Sequence, residues 1–151
     1  MLTANCGFDD PKIGPGLLVQ LGPSIWVSIG FDAGYNPTSN SPPLPGISNV
    51  EALIDTGADE SCIDARLAAQ LKLPIVDQRL VCGVTAIKSV NMHLAQIHVP
   101  TLKFTQYGMF AGVDLATSGQ RHQALIGRTF LRHFKIVYEG NTGIVTISSD
   151  N

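Results

Sequence analysis

The strongest constraint on the fold is a short apolar segment that occurs twice in the chain. The sequence "ALIDTG" spans residues 52–57, and "ALIG" spans residues 124–127. Helix-like spacing follows each copy, in "DARLAAQL" and in "RTFLRHF". Two apolar strands that each end in a tight turn and a helix predict a pseudo-twofold arrangement within the chain. Only the first copy carries a carboxylate, Asp55.

The rest of the chain is rich in short strand-like segments. Predicted strands include residues 17–21, residues 24–31 and a long hairpin over residues 75–100, with Gly, Pro and Asn between them. One helix is predicted after Asp64, which is a suitable N-cap, and it ends before Pro74. A second short helix is predicted after residue 127. The pattern therefore predicts a mostly β protein with one or two short helices.

Length and composition favour one domain, residues 1–151, with a core of its own. Residues 1–16 are interpreted as an N-terminal extension, and the Pro-, Ser- and Asn-rich residues 33–49 as an inserted surface loop. Charged residues make up only 15% of the chain, against a usual quarter. This shortage indicates that some surface is covered by a partner, most simply a second copy.

The charge and the cysteines indicate which partners and which cell compartment are expected. The net charge is −2 and no basic run is present, so a nucleic-acid partner is not expected. No apolar stretch is long enough for a membrane span, and no signal segment begins the sequence, so membrane insertion is not expected. Three cysteines without metal-type spacing fit reduced thiols. We therefore expect a cytoplasmic protein without a bound metal or cofactor.

Asp55 lies where an apolar strand meets a tight turn, a position that holds a carboxylate in place. Hydrolysis needs a base to activate water and an acid to protonate the leaving group. Two carboxylates that share one proton can do both, because like charges about 3 Å apart do not both ionise. This chain offers one such aspartate, but a C2 dimer would bring Asp55 against its own copy. The pair would then titrate as a unit.

The segments "ALIDTGADESCI" and "ALIGRTFL" resemble the two signature segments of retropepsin-like aspartic proteases, the retroviral protease type. Their order and separation are also similar to that family, and the resemblance covers roughly residues 18–147. It implies a small, closed, barrel-like β domain that is active as a C2 homodimer. It further implies an aspartic endopeptidase that hydrolyses peptide bonds in peptide or protein substrates with an activated water.

The resemblance also assigns roles to single residues. It implies that Asp55 is the catalytic aspartate, that the Thr56 hydroxyl links the subunits beneath the two aspartates, and that Gly57 allows close approach of substrate. Asp59 corresponds to the acidic residue that binds the substrate main chain, and it is expected to form a structural ion pair with Arg128.

Ala58 occupies a substrate-binding position where many pepsin-like sites have Ser or Thr. A hydroxyl there could hydrogen-bond the ionised carboxylate, so its absence should make the two aspartates less acidic. We expect activity at mildly acidic to near-neutral pH. A pH–rate profile with its maximum in strongly acidic solution would contradict this expectation.

The family closes a mobile, glycine-rich hairpin tip, the flap, over its substrate. Residues 80–90 are the corresponding segment here, with Gly83 as the single glycine. Mainly apolar subsites are expected. The predicted substrate-binding residues of this region are Val81, Gly83, Val84 and Ile87, with Leu53 as a further wall.

Two other functions remain open at this stage. A glycine-poor flap would also suit a retropepsin-like dimer that binds peptides or proteins and cleaves little. An unrelated aspartate enzyme, such as a phosphotransferase, would need a second acidic cluster for a metal. The carboxylates after Asp64 are isolated in the sequence, which ranks that reading last.

Overall fold

The computed structural model of the protein describes residues 1–82, 84–117 and 119–149. Strands dominate these residues and the helices are short, which confirms the mostly β class. The strands are β1 Thr3–Asn5, β2 Ser24–Gly30, β3 Ile47–Ile54, β4 Cys62–Asp64, β5 Ile75–Cys82, β6 Ile87–Val99, β7 Phe104–Val113, β8 Ala124–Ile126, β9 Lys135–Glu139 and β10 Ile144–Ser148. The helices are α1 Gly14–Leu21, α2 Ala65–Gln70 and α3 Arg128–Leu131, with a 3₁₀ turn at Pro100–Leu102.

Six strands close into a barrel, as the sequence resemblance implies. They pair in the order β2-β3-β8-β4-β7-β6, and antiparallel pairing of β6 with β2 completes the ring. Strand β5 extends the sheet beyond β6 as the outer strand of a long hairpin. Alternate residues of the barrel strands form the core because successive side chains point to opposite faces. Core residues from the barrel include Val27, Ile29, Ala52, Ile63, Ile97, Val99, Ala124 and Ile126.

A second, three-stranded sheet joins the two ends of the chain. It has the order β1-β10-β9, and Ala4 of β1 lies opposite Ile147 of β10. Ala4 and Cys6 are both buried in the core. The first residues of the predicted N-terminal extension are therefore packed into the fold. Residues 139–143 form the turn that connects β9 and β10.

The prediction of a strand at residues 17–21 is wrong, because these residues form most of α1. Proline suits the first turn of a helix, where its missing N–H would have no partner, and Pro15 lies there. Gly14 packs directly on backbone: a Cβ at this residue would lie 2.3 Å from the carbonyl oxygen of Phe8. The Gly-Pro-Gly sequence therefore begins a helix here instead of ending a strand.

The Asp32 side chain links the start and the end of the Pro- and Ser-rich loop. Its carboxylate accepts hydrogen bonds from the N–H groups of Gly34, at 2.9 Å, and Leu44, at 3.0 Å. Gln96 of β6 holds the Asp32 backbone: the Asp32 N–H donates to Gln96 Oε1, and Gln96 Nε2 donates to the Asp32 carbonyl. The loop is shorter than predicted, because residues 47–49 belong to β3, where Ile47 pairs with Ile29 of β2.

The helix predicted after Asp64 is α2, and its N-cap is confirmed: the Asp64 carboxylate accepts a hydrogen bond from Leu67 N at 3.3 Å. The hairpin predicted over residues 75–100 is formed by β5 and β6. Residues 104–113 form the single strand β7. In the described part of the chain, no helix is long and apolar enough to cross a membrane.

Candidate active site

The two copies of the repeated segment lie side by side. Strand β3 pairs with β8 in parallel, and the register sets Ala52 against Ala124, Leu53 against Leu125 and Ile54 against Ile126. The N–H of Asp55 donates to the carbonyl of Ile126 at 2.9 Å. Asp55 and Gly127 therefore occupy equivalent positions at the ends of two adjacent strands, and only one of these positions carries an acid.

Asp55 is half-buried, and its carboxylate is oriented by the turn that follows it. Oδ1 accepts a hydrogen bond from the N–H of Gly57 at 3.0 Å. A Cβ on Gly57 would lie 3.1 Å from the same oxygen. Gly57 is not among the positive-φ glycines of the described residues. A glycine is favoured here because the backbone approaches the carboxylate closely, and not because the turn needs a left-handed conformation.

Backbone hydrogen bonds join the turn after Asp55 to the start of α3. Arg128 N donates to Ala58 O and Thr129 N donates to Asp59 O, each at 2.9 Å. The Arg128 guanidinium donates to the carbonyl of Thr56 at 2.7 Å. These bonds hold the segment "ALIGRTFL", which we call the second motif, against the segment "ALIDTGADESCI", the first motif. They fix the backbone of Thr56, Ala58 and Asp59 in the turn that follows Asp55.

The ion pair predicted between Asp59 and Arg128 is not among the contacts that these side chains make within the described residues. The Asp59 carboxylate accepts a hydrogen bond from the N–H of Glu60 at 2.9 Å. Arg128 instead reaches the backbone at Thr56. The arginine thus supports the turn through a carbonyl group, which leaves the exposed Asp59 side chain at the surface.

Ser61 is a supporting residue that sequence reasoning missed. Its side chain is buried, and Oγ accepts a hydrogen bond from Gly127 N at 3.1 Å while donating to Gln106 Oε1 at 2.8 Å. Gln106 Nε2 then donates to Thr129 Oγ1 at 3.0 Å. This chain of hydrogen bonds connects β7, the first motif and the helix of the second motif. A serine in sequence gives no signal of such a role.

Cys62 follows Ser61 and is buried beside the site. Burial raises the pKa of the Cys62 thiol to about 12, and the negative charge of Asp55 adds to the rise, while a hydrogen bond with the Leu125 backbone opposes it. Cys62 is therefore a neutral, apolar filler at neutral pH.

The same register identifies an apolar wall beside Asp55. Leu53 and Leu125 lie opposite each other, on the strand faces that turn away from the buried Ala52 and Ala124. Both leucines are half-buried. Leu53 was predicted as a wall, whereas Leu125 was missed. The internal repeat was the signal that could have found it, because it places Leu125 at the position equivalent to Leu53.

The β5–β6 hairpin carries the residues predicted for the flap. Its register sets Val81 opposite Lys88 and Cys82 opposite Ile87. Directly opposed residues share a face and neighbours along a strand do not, so Val81 and Ile87 lie on opposite faces. These two predicted subsite residues cannot line the same side of the hairpin. Leu80, paired with Ser89, lies on the same face as Ile87.

The outer part of this hairpin is exposed on both faces. Leu80 is 74% exposed and Ile87 is 65% exposed. Val84, in the connection between the strands, is fully exposed. Gly83, the predicted flap glycine, lies outside the described residues.

Among residues 1–82, 84–117 and 119–149, no group of three or more His, Cys, Asp or Glu side chains is placed to hold a metal ion. The chemistry of the described site therefore centres on one oriented carboxylate, flanked by backbone groups and an apolar wall. A single carboxylate can act as a base or as an acid, but not as both at once.

Comparison with protein families supports the resemblance inferred from the two motifs. The family model described as "gag-polyprotein putative aspartyl protease" matches residues 46–133, more than half of the chain. The matched region runs from the start of β3 to the end of the second motif, so it contains both repeated segments. A search of curated proteins found no match.

Proposed function

The chain belongs to the gag-polyprotein aspartyl protease family, and from this premise we propose that it is an aspartic endopeptidase that acts as a homodimer. One observation carries the proposal: Asp55 and Gly127 lie at equivalent ends of adjacent parallel strands, and only Asp55 is acidic. The internal repeat therefore supplies half of a carboxylate pair. A second copy related by a twofold axis would supply the other half, since a C2 interface brings identical residues together.

In the proposed mechanism, the two Asp55 carboxyl groups share one proton and hold a water molecule between them. The ionised group accepts a proton as the water oxygen bonds to the scissile carbonyl carbon. The other group donates its proton to the carbonyl oxygen, which gives a tetrahedral diol. The group that took the proton from water then donates it to the leaving nitrogen, and the other group accepts a proton from one hydroxyl of the diol as the C–N bond breaks. The two carboxyl groups again share one proton. The hydrogen bond from Gly57 N to Asp55 Oδ1 fixes the orientation of each carboxylate during these steps.

The substrate would be an extended peptide that adds to exposed strand edges through its backbone. We assign its apolar floor to Leu53 and Leu125. The hairpin face that carries Leu80 and Ile87 would cover it. This face continues along β6 into Ala95, which belongs to the core, so it is the face that turns toward the barrel. Val81 would then face away from the substrate.

Digestion of an apolar peptide library tests the proposal. The wild-type protein should cleave peptides, and Asp55→Asn should lose turnover while keeping the circular dichroism spectrum and the thermal midpoint of the wild type. A statine-type transition-state mimic should inhibit the wild type, because its hydroxyl replaces the water between the carboxylates. Tight binding of that mimic without any turnover by the wild type would favour the peptide-binding alternative.

The wall residues have a separate test. Leu125→Ala should change which peptides are cleaved and raise KM, because it enlarges a pocket that binds an apolar side chain. Ile87→Ala should raise KM in the same assay, whereas Val81→Ala should not. If Val81→Ala raises KM and Ile87→Ala does not, the substrate binds to the opposite face of the hairpin.

A further inference from the structure

Helix α1 presents an unusual outer face. At 100° per residue, Ile13 at its N-cap, Gly16, Val19 and Gln20 fall within one third of the helix circumference. All four are exposed, whereas Gly14 and Leu18 on the opposite side are buried. We refer to Ile13, Gly16, Val19 and Gln20 as the α1 outer face.

The α1 outer face carries no charge, and its largest exposed side chains apart from Gln20 are apolar. Val19 is 84% exposed and Ile13 is 57% exposed. Residues 13–31, which include the whole helix, contain no charged side chain. Exposed helices normally carry charged residues on the side that faces solvent. The composition of α1 is therefore that of a helix covered on both sides.

Gly16 gives an independent indication of a covered face. A glycine within a helix is less favourable than alanine by roughly 1 kcal/mol. Nothing within the described chain requires it, because a Cβ at Gly16 would have no neighbour within 4 Å and its φ is not positive. A residue without a side chain on an outward helix face lets the backbone of another molecule come close.

The position of α1 in the fold indicates which molecule would cover the α1 outer face. At its N-terminal end, Gly14 packs against Gly143 of the β9–β10 turn. At its C-terminal end, a Cβ on Gly22 would lie 2.9 Å from the side chain of Leu53. The next residue, Pro23, accepts a hydrogen bond from Ile54 N at 2.9 Å. Helix α1 thus ends beside the strand end that carries Asp55.

We propose that the α1 outer face is the surface on which the second copy of the chain packs. This inference rests on the proposed function, in which a twofold axis passes beside Asp55 and brings two carboxylates to about 3 Å from each other. Surfaces that adjoin the catalytic turn then lie at the seam between the copies. Helix α1 precedes the matched residues 46–133, so this seam is formed by a segment that the family match does not include.

Val19→Lys tests the inference with a matched control. Lysine is favourable near a helix C-terminus, so the substitution should leave the monomer folded. It would place a charge at the seam twice in each dimer. We expect the dimer dissociation constant, measured by analytical ultracentrifugation, to rise at least about tenfold, or roughly 1.4 kcal/mol. Leu44→Lys is the control, because Leu44 is 74% exposed in the loop between β2 and β3; it should leave the constant unchanged.

Gly16→Ala provides a second test in which folding and association move in opposite directions. The added methyl group meets nothing in its own chain, so the thermal midpoint of dilute monomer should rise with helix propensity. The same methyl group should hold the copies apart and raise the dimer dissociation constant. A variant that gains monomer stability without losing dimer affinity would overturn the inference.

The results also separate this inference from the function on which it rests. If the wild type is a dimer that cleaves peptides and Val19→Lys dimerises equally well, the α1 seam is wrong and the protease function stands. If the wild type cleaves peptides only as a dimer and Val19→Lys needs higher concentrations for the same turnover, both are supported. If the wild type shows no turnover at any concentration, the proposed function is wrong. The effect of Val19→Lys on the dimer dissociation constant would still test the α1 seam.

Discussion

Ser61→Ala should destabilise the protein and lower its activity through one hydrogen-bond network. The Ser61 hydroxyl accepts from the buried Gly127 N–H at 3.1 Å and donates to Gln106 at 2.8 Å. Without the hydroxyl, the Gly127 N–H loses its partner where water has little access. A buried polar group left without a hydrogen bond costs about 1–3 kcal/mol. Gln106 is half-buried, so water can replace its lost bond at smaller cost.

These contributions give an expected loss of about 2 kcal/mol in the free energy of unfolding. For a chain of this length, that corresponds to a fall of roughly 4–8 °C in the thermal midpoint. Urea unfolding and differential scanning calorimetry would measure both quantities. Because the bond holds Gly127 against the turn after Asp55, the proposed reaction centre, kcat should fall more than KM rises.

Ser28→Ala is the matched control. Ser28 is 8% exposed and Ser61 is 2% exposed, but the Ser28 hydroxyl makes no hydrogen bond with the described residues. Its removal should change the free energy of unfolding by less than about 0.5 kcal/mol. Equal losses for the two variants would refute the assignment of the Ser61 effect to the network.

Four further predictions follow from burial. Gly127→Ala should destabilise the fold by several kcal/mol and reduce expression of folded protein, because the new Cβ would lie 2.5 Å from the backbone of residue 60. A thiol reagent should label only Cys82 in the native chain and all three cysteines after denaturation. Burial raises the pKa of both Cys6 and Cys62 from 9.0 to about 12. As pH rises between these values, the thiols ionise in the unfolded chain and stay neutral in the folded one. The free energy of unfolding, measured by urea titration, should therefore fall by roughly 1.4 kcal/mol per pH unit for each thiol. Burial lowers the pKa of His122 from 6.5, so below that pH the unfolded chain binds a proton that the folded chain does not. The free energy of unfolding from the same urea titration should therefore also fall as pH drops below 6.5, and it should fall less steeply in His122→Gln.

The features that the sequence predicted correctly are those with a local physical signature. The paired "ALI" segments predicted two strands because each apolar run ends in a turn, and β3 and β8 confirm these strands. Their parallel pairing is a finding of the structure. Asp64 was identified as an N-cap because its short acidic side chain precedes a helical pattern. The alternation in residues 75–99 predicted the long hairpin.

The errors arise where tertiary contacts decide the structure. Residues 17–21 have β-branched and leucine side chains that suit a strand, but Gly14 packs on backbone and Leu18 enters the core, which stabilises a helix. The face of each hairpin residue depends on strand register, which separates Val81 from Ile87 and cannot be obtained from either strand alone. The role of Ser61 depends on partners 45 and 66 residues away in sequence.

In the proposed function, activity requires one Asp55 from each of two chains. Mixing the wild type with an equal amount of Asp55→Asn, under conditions where the copies exchange freely, tests it most directly. Random pairing places half of the wild-type chains in mixed dimers, so turnover should fall to about half that of the wild type alone. Unchanged turnover in the mixture, together with a sedimentation mass equal to one 16.1 kDa chain, would contradict the claim.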